Sequence, residues 1–350
     1  MLFLQINKTF MGQSKLAIID SDIKKIINNK FFNSLNNKSV LITGGSGLIG
    51  SYLLRTLILL KKKIKVDLTT IIKSKKEKFF DRLCEKQVKI IKTDLTKDFE
   101  KKIKFYDIII HAAGYAQPKK FIQTPENTVL INTFVTLKLL KKLKKNGRFL
   151  FLSSSELYSG NTKINDEKNI GNINTDQPRS AYINSKILGE TICSFFKKKG
   201  IKTYSARVSY AYGPGNKKND KRVLYEFINQ ALINNRIIIK GGLKNIITYC
   251  YILDTIEILF KILLLGKKQI YNVAGISKLS ILSLAKRIKK NLKEKNIKII
   301  KKTKERSIAR IFKKTNINLI KKEFKKKKFI KFDYGLAKTI EWQKIILNKQ

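Results

Sequence analysis

The sequence is poor in several residues on which protein chemistry often depends. Its 350 residues include one histidine, three cysteines, one tryptophan and four prolines. A single histidine, His111, excludes sites built from several imidazole ligands. The cysteines Cys84, Cys193 and Cys250 lack the spacing of metal or redox pairs, which is typical of free thiols in a reducing compartment. We therefore expect no metal site.

Long apolar runs are also missing. No stretch approaches the ~18 to 20 apolar residues needed to cross a bilayer. The N-terminal stretch MLFLQINKTFMGQSK has neither the apolar core nor the cleavage pattern of a signal peptide. These observations predict a cytoplasmic protein with no membrane partner.

Acidic residues are scarce as well, with 25 Asp and Glu against 75 Lys and Arg, for a net charge of +50. Such a basic excess often indicates nucleic-acid binding. Here the lysines are spread along the whole chain, beside abundant isoleucine and asparagine, and form no basic arm. We therefore expect a positive field that attracts small anionic substrates and do not expect nucleic acid as a partner. A non-catalytic nucleic-acid-binding protein of the same fold is the alternative from another class.

A glycine-rich turn follows the first apolar strand pattern. In SVLITGGSGLIGSYLLRTLILL (39–60), a strand pattern leads into glycines and then into an apolar helix. Gly44, Gly47 and Gly50 allow a tight turn, a close approach to a pyrophosphate and helix-on-strand packing, and the helix N-terminus then faces the phosphates. The pattern predicts a dinucleotide cradle formed by Gly44, Ser46, Gly47, Leu48 and Ile49.

Strand patterns then alternate with helical stretches. They lie at 66–73, 88–94, 106–114 and 148–154. Alternation of this kind predicts parallel βαβ units. We therefore expect an α/β protein with a Rossmann-type doubly wound parallel sheet over 36–205. An N-terminal extension (1–35) precedes it, and a smaller substrate-binding region (206–350), interleaved with the Rossmann core, follows.

The ends of these strands carry further candidates for cofactor binding. Asp94 and Leu95 close the third strand, where the carboxylate suits either the adenine end of a cofactor or a simple turn. In HAAG, the small residues Ala112, Ala113 and Gly114 let the chain pass closely under a cofactor. We expect His111 to be structural.

The acidic residue that holds the adenosine ribose in many such folds has no clear counterpart. Asp67 begins the second strand, and that strand ends in the cationic stretch KSKK (73–76). Cations there would tolerate a 2′-phosphate, so NADP is the alternative to NAD.

Tyr182 and Lys186 stand four residues apart in SAYINSKILGE (180–190) and share one helix face. Lowering the pKa of a tyrosine from ~10 to about 7 takes roughly 4 kcal/mol. One cation at ~5 Å contributes about 3 kcal/mol. The pattern therefore favours a phenolate base supported by Lys186 and an oxidised nicotinamide.

Taken together in this order, the motifs resemble those of the extended short-chain dehydrogenase/reductases, the NAD-dependent epimerase/dehydratase family that modifies nucleotide-sugars. The resemblance spans about 38–345, and its motifs are TGGSGLIG, HAAG, Asn132 in INTFVT, SSSELYS, YINSK, YGPG (212–215) and DYGLAKTIEW (333–342). It implies a nucleotide-sugar substrate, Asn132 in the cofactor site, and a homodimer paired through the helices that carry Asn132 and Tyr182.

The resemblance also implies a catalytic set. Ser154 would hydrogen-bond the sugar C4 oxygen while Tyr182, supported by Lys186, removes its proton. The C4 hydride would leave, and a transient 4-keto sugar would form. Ser155 would line the substrate pocket, and Ser153 would satisfy the backbone at the strand end.

Residues near this set distinguish the family's reactions. Ser155-Glu156 replaces the Asp-Glu pair of the 4,6-dehydratases and looks more like UDP-glucuronate decarboxylases, with Glu156 catalytic. Arg222 is the candidate anion contact, and Tyr212 of YGPG is a candidate substrate contact. UDP-sugar 4-epimerase and dTDP-glucose 4,6-dehydratase are the alternatives. Decarboxylases usually carry Glu-Gly-Lys-Arg where this chain has Asn-Ser-Lys-Ile at 184–187.

One position departs from the family pattern. The arginine that clamps the nucleotide diphosphate, four residues before the tyrosine of Y-V-x-D, is Ile247 here, with Tyr251 and Asp254 matching the motif. Loss of a bidentate clamp should weaken phosphate binding unless Lys244 or Arg222 replaces it.

Overall fold

The computed structural model describes residues 15–73, 78–84, 86–161, 164–292, 296–302 and 315–348. Residues 1–14 of the expected extension and 74–76 of the KSKK stretch lie outside the described residues. The strands are β1 Lys38–Thr43, β2 Val66–Ile72, β3 Lys89–Lys92, β4 Tyr106–His111, β5 Leu143–Ser154, β6 Lys202–Val208, β7 Tyr210–Tyr212, β8 Arg236–Ile239, β9 Ile246–Tyr251, β10 Ile270–Val273, β11 Ser277–Ser280 and β12 Lys298–Lys301.

Helices separate most of these strands. They are α1 (15–23), α2 Leu48–Leu60, α3 Lys78–Cys84, α4 Pro118–Gln123, α5 Pro125–Asn132, α6 Phe134–Leu140, α7 Ser180–Lys198, α8 Val223–Asn234, α9 Ile252–Leu265, α10 Ile281–Leu292, α11 Asn318–Glu323 and α12 Phe332–Leu347. A short 3-10 turn, Ser155–Tyr158, follows β5 directly.

The central layer is a seven-stranded sheet in the order β10-β6-β5-β4-β1-β2-β3, and all of its neighbouring strands are parallel. The predicted doubly wound α/β fold is confirmed. β1 pairs with β2 on one side and β4 on the other, so the chain reverses direction across the sheet at β1. Ligands of such sheets bind beyond the carboxyl ends of the strands at this switch point.

Smaller sheets lie in the second half of the chain. β9 pairs antiparallel with β11 and parallel with β7, and β8 pairs parallel with β12. β7 follows β6 after a single residue, so this part of the chain starts directly at the carboxyl edge of the main sheet. Its residues therefore reach the same edge as the glycine turn.

The N-terminal segment packs firmly on the rest of the molecule. Ile19 and Ile23 of α1 are fully buried in the main hydrophobic core. Asp20 accepts two hydrogen bonds of 2.7 Å from the guanidinium of Arg55 in α2. Asp22, also buried, accepts a 2.5 Å hydrogen bond from the hydroxyl of Tyr251 in β9. One helix thereby joins the first βα unit to the second half of the chain.

Candidate active site

The turn between β1 and α2 has the shape of a dinucleotide cradle. Gly44 adopts φ +72°, and a Cβ there would lie 2.7 Å from the backbone of Ala113. A Cβ on Gly50 would press against the carbonyl oxygen of Gly44. Gly47 is the N-cap of α2, so Leu48 and Ile49 form its first turn, whose free amides favour an anion. These residues fit the pyrophosphate of a dinucleotide.

The adenosine end of this cradle differs from the common pattern. Asp67 lies near the amino end of β2 and pairs with Lys104 at 2.5 Å, so it faces away from the cradle edge. Lys73, just beyond β2, pairs instead with Asp94 at 2.7 Å. Although partial burial opposes it, hydrogen bonds from Lys73 and Thr96 hold the pKa of Asp94 below its usual value. The described residues at the end of β2 thus supply a cation where a ribose-binding carboxylate commonly lies.

The strand β4 ends beneath this cradle. His111 is buried, with Nε2 2.9 Å from the carbonyl of Ile131 and Nδ1 2.7 Å from the hydroxyl of Thr43. Burial lowers the pKa of His111 to about 3, so the ring is neutral. Both ring nitrogens are engaged, which makes His111 structural. Ala112, Ala113 and Gly114 then line the adjoining cleft.

A cleft of about 490 Å³ opens beside the carboxyl edge of β4 and β5. It brings together residues predicted from separate motifs: Ile49, Ala112, Ala113, Gly114, Ser154, Ser155, Glu156, Tyr182, Lys186 and Arg222. This cleft lies at the switch point of the sheet, where a ligand is expected on topological grounds.

Ser154 and Tyr182 meet in this cleft. Ser154 ends β5, and its side chain hydrogen-bonds the phenol of Tyr182 near the start of α7. The Tyr182 ring stacks on Phe121, with centroids 4.3 Å apart and planes 12° apart. Two elements that are distant in sequence therefore present adjacent hydroxyl groups to the cleft.

Burial dominates the pKa values of Tyr182 and Lys186 in the chain itself, and the lowering of the Tyr182 pKa by Lys186 together with an oxidised nicotinamide stays a prediction. Burial raises the pKa of Tyr182 to about 12, and the hydrogen bond from Ser154 opposes that rise only in part. Burial also lowers the pKa of Lys186 to about 7. Its Nζ donates a 2.6 Å hydrogen bond to the carbonyl of Leu152 and lies 6.0 Å from the Tyr182 ring centroid. Desolvation, which the sequence argument left out, sets both values.

Asn132 lies behind Lys186. Its Nδ2 donates to the hydroxyl of Ser185 at 2.9 Å, and its buried Oδ1 has no partner. A Cβ built on Gly114 would lie 3.9 Å from both Asn132 Oδ1 and Lys186 Nζ. An unsatisfied buried acceptor beside the cleft favours a further polar group there when the site is filled.

A buried ion pair that the sequence analysis missed supports this centre. Glu190, one turn after Lys186, accepts hydrogen bonds from Arg207 at 2.8 to 3.2 Å. The hydroxyl of Ser153 also donates to Glu190, at 2.6 Å, and not to the backbone as expected. Arg207 also donates a 2.9 Å hydrogen bond to the hydroxyl of Tyr158. The pair joins α7 to β5 and β6 behind the reactive side chains.

A second pair lies inside the cleft. Arg179, the N-cap residue of α7, donates to Glu156 of the 3-10 turn at 3.0 Å. Arg179 also lies 5.6 Å from the ring centroid of Phe121. Both charged side chains are partly exposed and line the cleft. The position of Arg179 three residues before Tyr182 was the one sequence signal that could have drawn attention to it.

Arg222, the predicted anion contact, lines the cleft. Its guanidinium donates hydrogen bonds to Asp220 and to the carbonyl of Ala211. It also lies about 5 Å from the ring centroids of Tyr210 and Tyr225.

The interpretation of Tyr212 as a substrate contact is not supported. Its ring is buried and packs on Tyr249 and Tyr251, and its hydroxyl donates to the carbonyl of Phe332. Tyr210, two residues earlier, lines the cleft instead. Both rings contact Tyr249, but only Tyr210 is among the residues that line the cleft.

Ile247 lines the cleft at the position where the family pattern has an arginine. It belongs to β9 and lies opposite Leu279 of β11. Lys221 and Asn245 also line this side of the cleft, whereas Lys244 is not among its lining residues. No cation occupies position 247 itself.

The fold and site together define a dinucleotide-binding α/β protein with a serine–tyrosine–lysine centre. Comparison with known proteins leads further. The sequence profile described as "NAD dependent epimerase/dehydratase family" matches residues 40–274. The chain belongs to this NAD-dependent family.

Individual relatives and structures were also identified. UDP-glucuronic acid decarboxylase 1 of Xenopus tropicalis is 28% identical over 74% of this chain and 62% of that protein, so the chain spans less than two thirds of this relative. UDP-glucuronic acid decarboxylase 6 of Arabidopsis thaliana is 28% identical over 79% of this chain and 80% of that protein. The structure of UDP-glucose 4-epimerase from Thermotoga maritima matches with a TM-score of 0.76 at 20% identity, over 88% of this chain and 99% of that one.

Within the described ranges, no group of three or more His, Cys, Asp or Glu side chains could hold a metal ion. None of the helices that the structure describes is long and apolar enough to cross a membrane.

Proposed function

We propose that this protein converts a UDP-sugar through a transient 4-keto intermediate, with UDP-glucuronate decarboxylation as the reaction. The observation that carries the proposal is the meeting of Ser154, Tyr182 and Lys186 in one cleft beside the glycine cradle. The bound nicotinamide would supply the acceptor for the C4 hydride. The residues of the chain then have to bind the sugar, move a proton and hold the ketone.

Tyr182 is the proton acceptor for the C4 hydroxyl. Its phenol must be ionised to act, and burial opposes this in the protein without ligands. A cationic group close to the phenol in the filled site would reverse that direction. Ser154 donates a hydrogen bond to the same sugar oxygen, and both hydroxyls then face the carbonyl oxygen of the 4-keto sugar.

A 4-keto uronate is a β-keto acid. When its C5–C6 bond breaks, the electron pair passes into the C4 carbonyl and CO2 leaves. Ser154 and Tyr182 stabilise the resulting oxyanion, and C5 then takes up a proton. Glu156 lies beside these two residues in the cleft and is our candidate for handling that proton. Return of the hydride to C4, with the proton given back by Tyr182, would yield the UDP-pentose.

Support for decarboxylation over the other reactions comes from two observations. The relatives named above are UDP-glucuronic acid decarboxylases, and Ser155 stands where dehydratases carry aspartate. The 4-epimerase reaction is the second candidate, because the guanidinium of Arg222, the expected anion contact, already binds Asp220. Both reactions share every step up to the 4-keto sugar.

NMR of the purified protein with NAD and four sugars tests the proposal: UDP-glucuronate, UDP-glucose, UDP-N-acetylglucosamine and dTDP-glucose. A UDP-pentose with CO2 release from UDP-glucuronate supports decarboxylation, whereas a C4-inverted sugar supports epimerisation. Tyr182→Phe keeps the ring stacked on Phe121 and removes only the hydroxyl, so it should abolish turnover with little loss of stability. Turnover that survives in Tyr182→Phe would refute the mechanism.

We further propose that the protein is a homodimer. Exposed apolar side chains lie on the helices near Asn132 and Tyr182: Val129, Phe134, Leu188 and Phe195, which are 38%, 52%, 49% and 53% exposed. Leu188 and Phe195 are seven residues apart on α7 and so share a face. Leu188→Glu should convert a dimer into a monomer, as measured by light scattering, and a wild-type monomer would refute this proposal.

A further inference from the structure

The cleft contains more cations than its reaction requires. Among the described residues that line it, the charged ones are Lys119, Glu156, Arg179, Lys186, Lys221 and Arg222. The proposed mechanism uses Lys186 and Glu156. The remaining cations could recognise an anionic part of the substrate, and their surroundings distinguish between them.

Three of these cations are poorly suited to bind a group beside the reacting carbon. The guanidinium of Arg222 already binds Asp220 and the carbonyl of Ala211. Lys119 and Lys221 are exposed to solvent, so water and salt screen their charges.

Arg179 has a different environment. Its side chain is 20% exposed, and among the described residues its one hydrogen-bond partner is Glu156, through a single nitrogen. A guanidinium has five N–H donors in a planar fork, and an edge left open can bind a second carboxylate with two parallel hydrogen bonds.

The position of Arg179 relative to the reacting hydroxyls completes the argument. Arg179 lies one helical turn before Tyr182, close enough that its charge lowers the pKa of the Tyr182 phenol. Glu156 lies two residues after Ser154. Ser154 and Tyr182 hold the sugar C4 oxygen in the proposed mechanism, and C6 of a hexose is two bonds from C4. The Glu156–Arg179 pair is therefore within reach of the C6 substituent, which is the charged group of a uronate.

We infer that Arg179 is the residue that selects a sugar carboxylate: its guanidinium, which Glu156 holds in place, binds the C6 carboxylate of a uronate. This inference rests on the proposed function, because it takes the C4 oxygen to lie between Ser154 and Tyr182. Glu156 and the substrate carboxylate would share one guanidinium, so their negative charges repel each other. A neutral hexose carries no such charge.

Binding of two sugars that differ only at C6 tests the inference. Dissociation constants for UDP-glucuronate and UDP-glucose are measured by calorimetry with NAD present, in a Tyr182→Phe background so that no turnover occurs. Arg179→Met should weaken UDP-glucuronate binding about ten- to hundredfold, the range of a hydrogen bond to a charged group. Binding of UDP-glucose should be unchanged, and Arg179→Lys should recover part of the loss.

Two further variants sharpen the test. Lys221→Met removes an exposed cation from the same cleft and should leave the ratio of the two affinities unchanged. Glu156→Gln removes the repelling carboxylate, so UDP-glucuronate should bind up to about fivefold more tightly, the range of partly exposed ion pairs. If the Glu156–Arg179 pair served only to hold the 3-10 turn against α7, both Arg179→Met and Glu156→Gln would weaken the binding of both sugars. Thermal unfolding of every variant shows whether the fold is kept.

The outcomes separate the two proposals. Suppose that the wild-type protein decarboxylates UDP-glucuronate, but Arg179→Met weakens the binding of both sugars equally or of neither. In that case the inference fails and the proposed function stands. If the wild-type protein neither binds nor converts UDP-glucuronate, the proposed function fails and the inference fails with it.

Discussion

The buried pair of Glu190 and Arg207 allows a quantitative prediction of stability. Their side chains are 6% and 3% exposed, so each charge relies on the other in place of water. Replacing Arg207 with methionine removes three hydrogen bonds from Glu190 and leaves only the one from Ser153. An uncompensated buried charge typically costs about 3 to 5 kcal/mol of unfolding free energy. We expect this loss for Arg207→Met, and a similar loss for Glu190→Met.

The double variant Glu190→Met/Arg207→Met should be more stable than either single variant. It buries no charge, and its remaining cost is the lost hydrogen bonds of the Ser153 and Tyr158 hydroxyls and of the Glu167 and Asn169 carbonyls, at up to about 1 kcal/mol each. Tyr158 keeps hydrogen bonds to Asp166 and Asn272, which limits that cost. A double-mutant cycle should therefore give a coupling energy of at least about 2 kcal/mol.

Urea unfolding provides the assay, because the chain has one tryptophan and Trp342 is buried. Its fluorescence reports unfolding without interference from a second indole. If the unfolding free energy falls with urea concentration at the same slope in every variant, the shifts in midpoint reflect changes in stability. Single variants that each lose less than about 1 kcal/mol, or a double variant that loses the sum of both, would refute the argument from buried charge.

Three further predictions concern other parts of the molecule. Gly50→Ala should abolish NAD binding, measured by calorimetry, because its methyl group would meet the Gly44 carbonyl oxygen and push α2 off the turn; unchanged affinity would contradict the cradle. Burial lowers the pKa of Lys186 from 10.5 to about 7, so between these values the unfolded chain binds more protons and wild-type stability gains from rising pH. Lys186→Met should lose this contribution in urea unfolding at pH 7 and 9, and identical pH slopes would exclude it. Tyr251→Phe should cost about 1 to 3 kcal/mol, since it leaves the buried carboxylate of Asp22 without its shortest hydrogen bond; wild-type urea midpoints would argue against this.

The sequence predicted those features that depend on local pattern. Strand and glycine spacing located β1 and the turn after it, and the i, i+4 spacing placed Tyr182 and Lys186 on one face of α7. Parallel topology then required the ends of β4 and β5 to reach the same edge of the sheet, which brought Ser154 into the cleft.

Features that depend on long-range packing could not be predicted in the same way. The partner of Glu190 is 17 residues away in another element, and the partner of Arg179 is 23 residues away. Which of Tyr210 and Tyr212 reaches the cleft depended on the packing of Tyr251 and Phe332 around Tyr212. The pKa values of Tyr182 and Lys186 depended on burial, which only the folded chain determines.

Helix α1 lies outside the matched family profile but packs into the same hydrophobic core. The family profile begins at residue 40, but Ile19 and Ile23 fill the core and Asp20 binds the buried guanidinium of Arg55. A fragment cut at residue 36 would expose the apolar side chains of α2 that α1 covers and remove the Asp20 carboxylate from Arg55. We therefore expect the stretch that carries the recognisable motifs to be less stable without α1, and expression fragments should begin no later than residue 15.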